Sequence, residues 1–425
     1  MALALFSASS TLQAADLREV YEQAKTYDST YRAAQFDLEA AGKRVPLARS
    51  AFRPQLTFGG EVGLSTLADD GLGPYEETAL SLTLNQTLYN RANSKLLDQA
   101  ELGVLQAEAQ YAAVGQTLIL RVATAYFDVL RAQANVEFSQ SELQAISRQK
   151  EQAERRFDVG LVPITDVRSA QAQYDLAVAQ EIAASNQLST AQEALLLISG
   201  VETELLTPLA DDLPLTPPDP ADIDAWVTLA DDQNLELVIA QLATESSNAQ
   251  VSIERANRYP TLDLIGSAAS TTTEQFGRND ADIAEIKLQL RLPILTGGRV
   301  NAQVAQARAE ALSAEQQLIS QQRATTQQTR DAYRGVQASI ARVRALRQAL
   351  VSTQKSAEAT EAGFRAGTRT SVETLQALRD TYSARSDFSG ARYDYIINTL
   401  NLKAASGTLT EDDIFAINRF LAVAE

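Results

Sequence analysis

The sequence contains no cysteine and no histidine among its 425 residues. Their absence excludes disulfides, thiol nucleophiles, serine–histidine catalytic pairs and zinc sites of the usual ligand type. Positive charge is also scarce, because 37 Lys and Arg against 54 Asp and Glu give a net charge of −17. Such a charge repels nucleic acid and anionic surfaces. Catalysis would have to rest on carboxylates, Lys or Tyr, as in a carboxylate-dependent hydrolase with paired acids in a compact pocket. Because the chain also contains long predicted helices, we expect no enzyme, and we expect no cofactor and no nucleic-acid partner.

Long apolar runs are missing as well. No run approaches the roughly 20 residues that a transmembrane helix needs, so a membrane crossing would have to be a β-barrel. The segment 1–15, MALALFSASSTLQAA, resembles the remnant of a secretory signal, with small residues around Ala14 and no basic start. The alternative is the frayed start of a helix.

The chain contains an internal repeat. Three residues of RRFDVGLVPITDV recur 207 residues later in AGFRAGTRTSVET, and the pairs are Phe157 with Phe364, Gly160 with Gly367, and Asp166 with Glu373. A repeat of this length predicts one unit built from two similar halves. We expect a first repeat over 16–206, a proline-rich linker over 207–226, a second repeat over 227–406 and a C-terminal segment over 407–425.

Each repeat contains a predicted β-hairpin. Around 55–88 and 261–293, apolar residues alternate with polar ones, with turn segments DDGLGP (69–74) and TTTEQFGRNDAD (271–282) between the strands. The apolar face of each hairpin is expected to meet lipid. The residues expected on the water-facing side are Thr57, Glu61, Asn85, Lys287, Gln289 and Arg291. A half-buried sheet of a soluble protein would show the same alternation.

Long helices are predicted beside the hairpins. The first repeat is expected to contain a helical stretch over 16–51, a long helix over 91–157, a tip turn over 158–165 and a helix over 165–199. In the second repeat, a helix precedes the hairpin, and a long helix over 298–365, a tip turn over 366–370 and a helix over 371–406 follow it. Heptads of Val, Leu and Ala favour coiled-coil packing. A soluble or periplasmic coiled-coil scaffold would explain these helices but not the hairpins.

The linker is rich in proline and must be irregular, because proline disrupts helix interiors. Trp226, the single tryptophan, is interpreted as a packing residue. We expect the acidic side chains of the linker to be solvated.

Four strands cannot close a membrane barrel, since even the smallest such barrels need about eight. Two copies would supply eight strands and a filled interior, whereas three would supply twelve and leave a passage. If transport is the purpose, the strand count favours a trimer.

The chain resembles the TolC family of outer-membrane export ducts over nearly its full length. The most specific matches are LNQTLYN (84–90), TAYFDVL (124–130), RFDVGLVPITDVRSAQAQYD (156–175), LPILTGGRVNAQV (292–304), AGFRAGTRT (362–370) and ARYDYIINTLNLK (391–403). The resemblance implies a mainly α protein that forms a homotrimer, with a twelve-stranded β-barrel continuing into a coiled-coil tunnel. It places the duct in the outer membrane of a Gram-negative bacterium, in contact with outer-membrane lipid and extending into the periplasm.

The resemblance also implies partners and a cargo path. A periplasmic adaptor protein and an inner-membrane transporter of the RND, ABC or MFS class would pass drugs or secreted proteins into the duct. The sequence does not identify which cargo is carried. The adaptor would meet the helical tips first, and the expected docking residues are Gly160, Leu161, Val162, Gly367 and Thr368.

In this family the tunnel closes at its periplasmic tips through polar links. Carried over residue by residue, the links pair Gln149 with Glu361, Asp166 with position 364, and Thr165 and Asp166 with Arg369. Position 364 is Phe here, where well-studied relatives have tyrosine, so the hydroxyl that would reach Asp166 is missing. We expect the gate to depend more on Arg369 and on apolar contact by Phe364.

Two acidic ring positions of the family correspond to Glu373 and Gln376, so one ring has lost its charge. Three facing Glu373 carboxylates would attract cations and raise one another's pKa. This arrangement predicts cation selectivity. The alternative for both Arg369 and Glu373 is an ordinary surface role.

Overall fold

The computed structural model describes residues 14–65, 75–202, 205–210, 212–273 and 281–421. The strands are β1 (Gln55–Ser65), β2 (Tyr75–Asn90), β3 (Thr261–Thr273) and β4 (Ala281–Arg291). The helices are α1 (Leu17–Tyr27), α2 (Ser29–Gly42), α3 (Arg44–Ser50), α4 (Arg91–Asp158), α5 (Ile164–Ser199), α6 (Ile223–Gln233), α7 (Leu235–Ala256), α8 (Arg299–Arg365), α9 (Ser371–Ala405) and α10 (Glu411–Asn418). The expected signal remnant up to residue 13, the turn at 69–74 and most of the loop at 271–282 lie outside the described residues.

The chain divides into two compact units that do not coincide with the two repeats. The helical unit contains Met1–Ala34, Ala112–Leu235 and Gln322–Glu425, and the sheet unit contains Gln35–Tyr111 and Glu236–Gln321. Each unit therefore takes corresponding segments from both halves of the sequence.

In the sheet unit, the two hairpins join into one antiparallel sheet with the order β1-β2-β3-β4. The register aligns apolar residues in rows across the strands: Leu56 pairs with Leu84, Leu84 with Gly266, and Gly266 with Ile286. Ile286 is 81% exposed on this face. The neighbouring row contains Thr57, Thr83, Ser267 and Glu285. Because side chains of a strand alternate between faces, the sheet has one apolar and one polar face, as predicted.

The core of the helical unit surrounds the TAYFDVL segment of α4. Tyr126 and Phe127 are fully buried, and the Phe127 ring stacks on Tyr393 of α9 with centroids 5.4 Å apart. Ala15 forms a parallel bridge with Leu206, the last residue of the first repeat, and is itself buried. Ala15, the last residue of the predicted signal remnant, is thus part of the folded core.

The helical stretch predicted over 16–51 is broken into α1, α2 and α3. Asp28 separates the first two: its amide donates to Ala24 O at the end of α1, and its carboxylate accepts the Tyr31 amide at 2.8 Å. Arg121 of α4 donates to the same buried carboxylate at 2.9 Å. The break between α1 and α2 therefore places the buried Asp28 carboxylate where Arg121 can neutralise it.

The linker is shorter than predicted. Asp222 caps α6 by accepting the Asp224 amide, so residues 223–226 are helical rather than irregular. Trp226 packs in the core as predicted, and its indole N–H donates to Pro220 O at 2.8 Å. Asp224 is 71% exposed, so it is solvated as expected, and it also accepts a hydrogen bond from Arg330 at 2.8 Å. The expected C-terminal segment over 407–425 contains α10.

Tyrosine hydroxyls hold the linker against the helices. Tyr126 donates to Thr207 O at 2.7 Å, and Tyr333 donates to Ala221 O at 2.6 Å. These two tyrosines are related by the 207-residue repeat. Tyr395 adds bonds with both the amide and the carbonyl of Thr216, each at 3.0 Å. Both repeats thus use the same position to bind the segment that joins them.

In the described part of the chain, α4 contains one stretch that meets the length and composition of a membrane span. Its mean hydropathy is 1.2, and half of it is buried. One such stretch is weak evidence of a membrane span, because core helices of soluble proteins reach the same length and composition.

We expect Tyr126→Phe to lower the stability of the purified protein by about 1–2 kcal/mol, because the buried Thr207 carbonyl loses its donor. The midpoint of urea denaturation in detergent measures the change. Tyr27→Phe is the control, since Tyr27 is 56% exposed. Equal midpoints for the two variants would contradict a stabilising role of the Tyr126 hydroxyl.

Candidate functional site

The two helical tips share one backbone turn. Gly160 has a φ of 73° and donates its amide to Phe157 O at 2.8 Å, while Gly367 has a φ of 76° and donates to Phe364 O at 3.0 Å. Positive φ at a helix end favours glycine, because a Cβ would be strained there. The repeated Phe and Gly therefore encode the same reversal in both halves.

The tips differ in how the next helix begins. Thr370 and Glu373 form a capping box at the start of α9: the Thr370 hydroxyl accepts the Glu373 amide at 3.2 Å, and the Glu373 carboxylate accepts the Thr370 amide at 2.7 Å. These reciprocal bonds satisfy two backbone donors that the helix leaves open. Glu373 thus has a structural role that the sequence analysis did not predict.

The local contacts lower the pKa of Glu373. The Thr370 amide is the largest cause, and Arg369, whose Nη1 lies 2.9 Å from Glu373 Oε1, is the next. Within one protomer the shift is opposite in direction to the expected mutual repulsion of three carboxylates. Hydrogen bonds to the charged form explain this direction.

Arg369 does not reach its expected partners within one protomer. Among the described residues, no hydrogen bond or ion pair joins Arg369 to Thr165 or Asp166, and Arg369 pairs with Glu373 four residues away instead. Both side chains of that pair are exposed, and exposed pairs at this spacing are weak. The guanidinium can therefore exchange partners at low cost.

In the first tip, Pro163 stands at the helix start where the second tip has Thr370. Proline has no N–H, so Asp166 cannot close a capping box as Glu373 does. In the part of the chain that the structure describes, no hydrogen bond or ion pair occupies the Asp166 carboxylate. This acid remains available to a cation from outside its own protomer.

Two grooves bring together other predicted gate residues. A groove of about 270 Å³ is lined by Gln149, Asp166 and Thr370, together with Arg156 and Val162. A second groove of about 380 Å³ contains Gln149 again, now with Phe364 and Leu375.

Gln149 thus lies between the surroundings of Asp166 and of Phe364. Glu361 and Thr165 are exposed and line neither groove.

Outside the tip turns, α4 and α9 are joined by an ion pair that the sequence did not predict. Arg379 Nε of α9 lies 2.5 Å from Glu142 Oε1 of α4, and both side chains are mostly buried. The two residues are 237 positions apart, so no local pattern could have paired them. Gln376, the expected uncharged ring position, donates to Asp380 at 2.8 Å. The carboxylate of Asp380, one helical turn away, thus lies next to the neutral amide of Gln376.

The expected docking residues differ between the tips. The first tip presents apolar side chains: of the expected residues, Leu161 is 69% exposed and Val162 is half-buried, and the neighbouring Val159 is exposed as well. In the second tip, Thr368 is exposed and its hydroxyl donates to Gly363 O at 3.0 Å. The two tips therefore offer an apolar and a polar surface.

Comparison with known proteins agrees with this architecture. The family described as "Outer membrane efflux protein" matches residues 20–201 and 226–408, one segment in each repeat. The chain is 39% identical to outer membrane protein TolC of Vibrio cholerae, over 99% of this chain and 97% of that protein. It is 37% identical to TolC of Escherichia coli, over 99% and 88%. It is also 27% identical to the proteases secretion protein PrtF of Dickeya chrysanthemi, over 95% and 91%.

Solved structures share the fold. The outer membrane protein VceC of Vibrio cholerae matches with a TM-score of 0.76 and 21% identity, over 92% of this chain and 96% of that one. The CmeC outer membrane channel of Campylobacter jejuni matches with a TM-score of 0.78 and 16% identity, over 96% and 90%. Since the efflux protein family covers both repeats and TolC sequences match nearly the whole chain, this protein belongs to the outer membrane efflux protein family and is an exit duct of the Gram-negative outer membrane.

Proposed function

We propose that three copies of this chain form one duct whose helical tips close it from the periplasm. The observation that carries the trimer is the open sheet. Among the described residues, its outer strands β1 and β4 pair on one side only, and each has 11 residues. Three such sheets joined edge to edge supply twelve strands, enough for a barrel with a passage. The exposed apolar face of the sheet would contact outer-membrane lipid, which a coiled-coil scaffold leaves unexplained.

Arg369 is the proposed latch of the closed tips. A guanidinium offers several directional donors to a carboxylate and a hydroxyl, and Asp166 and Thr165 present both on exposed positions. In the closed trimer, Arg369 would leave Glu373 and bind Asp166 and Thr165 of another protomer. On opening, Glu373 receives the guanidinium again, so the open state carries no unpaired arginine. Gln149 with Glu361 and the apolar contact of Phe364 complete the proposed gate.

The proposed partners follow from the apolar and polar surfaces that the two tips present. A periplasmic adaptor would dock on Gly160, Leu161 and Val162 through apolar contact, and on Gly367 and Thr368 through polar contact. An RND, ABC or MFS transporter in the inner membrane would supply drugs or proteins to the duct. The secretion role carried by the name of PrtF supports the protein cargo.

Glu373 is the proposed charge of the constriction. Its capping contacts fix the carboxylate at the first turn of α9, immediately after the tip turn. Gln376 adds no charge of its own. The selectivity for cations would therefore depend on one ring of three carboxylates.

We expect Arg369→Ala to raise the single-channel conductance of the purified protein several-fold in a planar bilayer, because the closed tips lose their latch. Arg365→Ala is the matched control, since Arg365 is an exposed arginine of the same tip, and it should keep the small conductance of the wild type. Equal conductances for wild type and Arg369→Ala would place the gate elsewhere, with Phe364 as the next residue to substitute.

We expect cation selectivity to persist below pH 4.5, the ordinary value for glutamate. The Thr370 amide, the largest cause of the lowered pKa of Glu373, stays bound to the carboxylate whichever partner Arg369 has. Glu373 therefore remains charged at a pH where an ordinary glutamate is half protonated, and selectivity falls only as the pH drops through the lowered pKa. Reversal potentials in a KCl gradient, measured from pH 7 to pH 3, test this order. Glu373→Gln should show weak selectivity at every pH. A loss of selectivity above pH 4.5 would mean that repulsion among the three carboxylates outweighs the capping contacts.

A further inference from the structure

Gly363 stands inside α8, two residues before the helix ends at Arg365. Glycine is less favourable than alanine at such a position, because it loses more backbone freedom on folding. Its φ is not in the positive range that requires glycine. Another constraint must therefore explain this residue.

The neighbouring tip residues lie against the bare Cα of Gly363. A Cβ at this position would come within 2.7 Å of Arg369 Cγ and 3.2 Å of the Thr368 hydroxyl. Cγ is near the root of the arginine side chain, so relief of the overlap requires a new χ1 rotamer rather than a small shift of the guanidinium. Gly363 thus provides the space across which the stem of Arg369 runs.

The first tip shows that the turn itself does not require this glycine. Arg156 occupies the position equivalent to Gly363, and its carbonyl accepts the Leu161 amide at 2.8 Å. In the second tip, the Gly363 carbonyl accepts the Thr368 amide at the same distance. The first tip has Val162 where the second has Arg369. The space at Gly363 is therefore matched to the arginine and not to the backbone turn.

We infer that Gly363 is a positioning residue for Arg369: the missing side chain lets the arginine stem cross α8 and directs the guanidinium to its carboxylate partners. This inference rests on the proposed role of Arg369 as the latch. In each protomer, the arginine of the second tip lies against a glycine. The first tip has neither residue at the equivalent positions, where Arg156 replaces Gly363 and Val162 replaces Arg369.

The first test is structural and independent of conductance. Side-chain-resolution structures of Gly363→Ala and of the wild type are compared in detergent. The control is Gly390→Ala, since a Cβ at this helical glycine of α9 would meet nothing within 4 Å. We expect Arg369 to change its χ1 rotamer in Gly363→Ala alone. An unchanged Arg369 rotamer in Gly363→Ala would overturn the inference.

The second test separates positioning from general loosening of the tip. Planar-bilayer conductance is measured for Gly363→Ala, Arg369→Ala and the double variant. We expect the first two to exceed the wild type and the double variant to equal Arg369→Ala, because Gly363 acts only through the arginine. A further rise in the double variant would overturn positioning. If Arg369→Ala itself conducts like the wild type, the latch proposal fails, and the structural comparison alone decides the inference about Gly363.

Discussion

A β-sheet with two open edges and an apolar face cannot be the finished form of a chain that lies in a membrane. Hydrocarbon supplies no hydrogen-bond partner, so every backbone N–H and C=O along β1 and β4 must be paired by protein. Within the segments that the structure describes, one chain pairs these strands on a single side. The long helices start close to the sheet in the chain: the inner strand β2 ends at Asn90 and α4 begins at Arg91.

The two tips show how a duplicated segment acquires separate roles without a change of fold. The Phe and Gly that form the turn are the same, and both glycines adopt positive φ. A proline in one tip and a threonine in the other decide whether the following acid is engaged in a cap. Asp166 is left available while Glu373 is bound. The same backbone turn therefore presents a carboxylate acceptor, Asp166, in the first tip and the Arg369–Glu373 ion pair in the second.

Features encoded by near neighbours were predictable from the sequence. Strand alternation placed Leu56 and Ile286 on the apolar face, and the repeated Phe and Gly located both tips, because each depends on local geometry. Contacts between distant segments were not predictable: Arg379 with Glu142, or Tyr126 with the linker, leave no periodic signal. The pKa of Glu373 was expected to rise from repulsion, whereas in the protomer the capping amide and Arg369 lower it. The end of the linker was misplaced because a single capping residue, Asp222, starts α6 within it.

The capping box has an evolutionary consequence for the constriction. Glu373 is tied to the start of α9 through both its amide and its carboxylate, so folding alone disfavours its replacement, whatever ions the duct passes. Among the described residues, the side chain of Gln376 bonds to Asp380 within the same helix, so an acidic or a neutral residue at this position leaves the helix end undisturbed. Natural variation among ducts with this tip should therefore accumulate at the second position before the first, and permeability would be adjusted there by mutation at little cost to the fold.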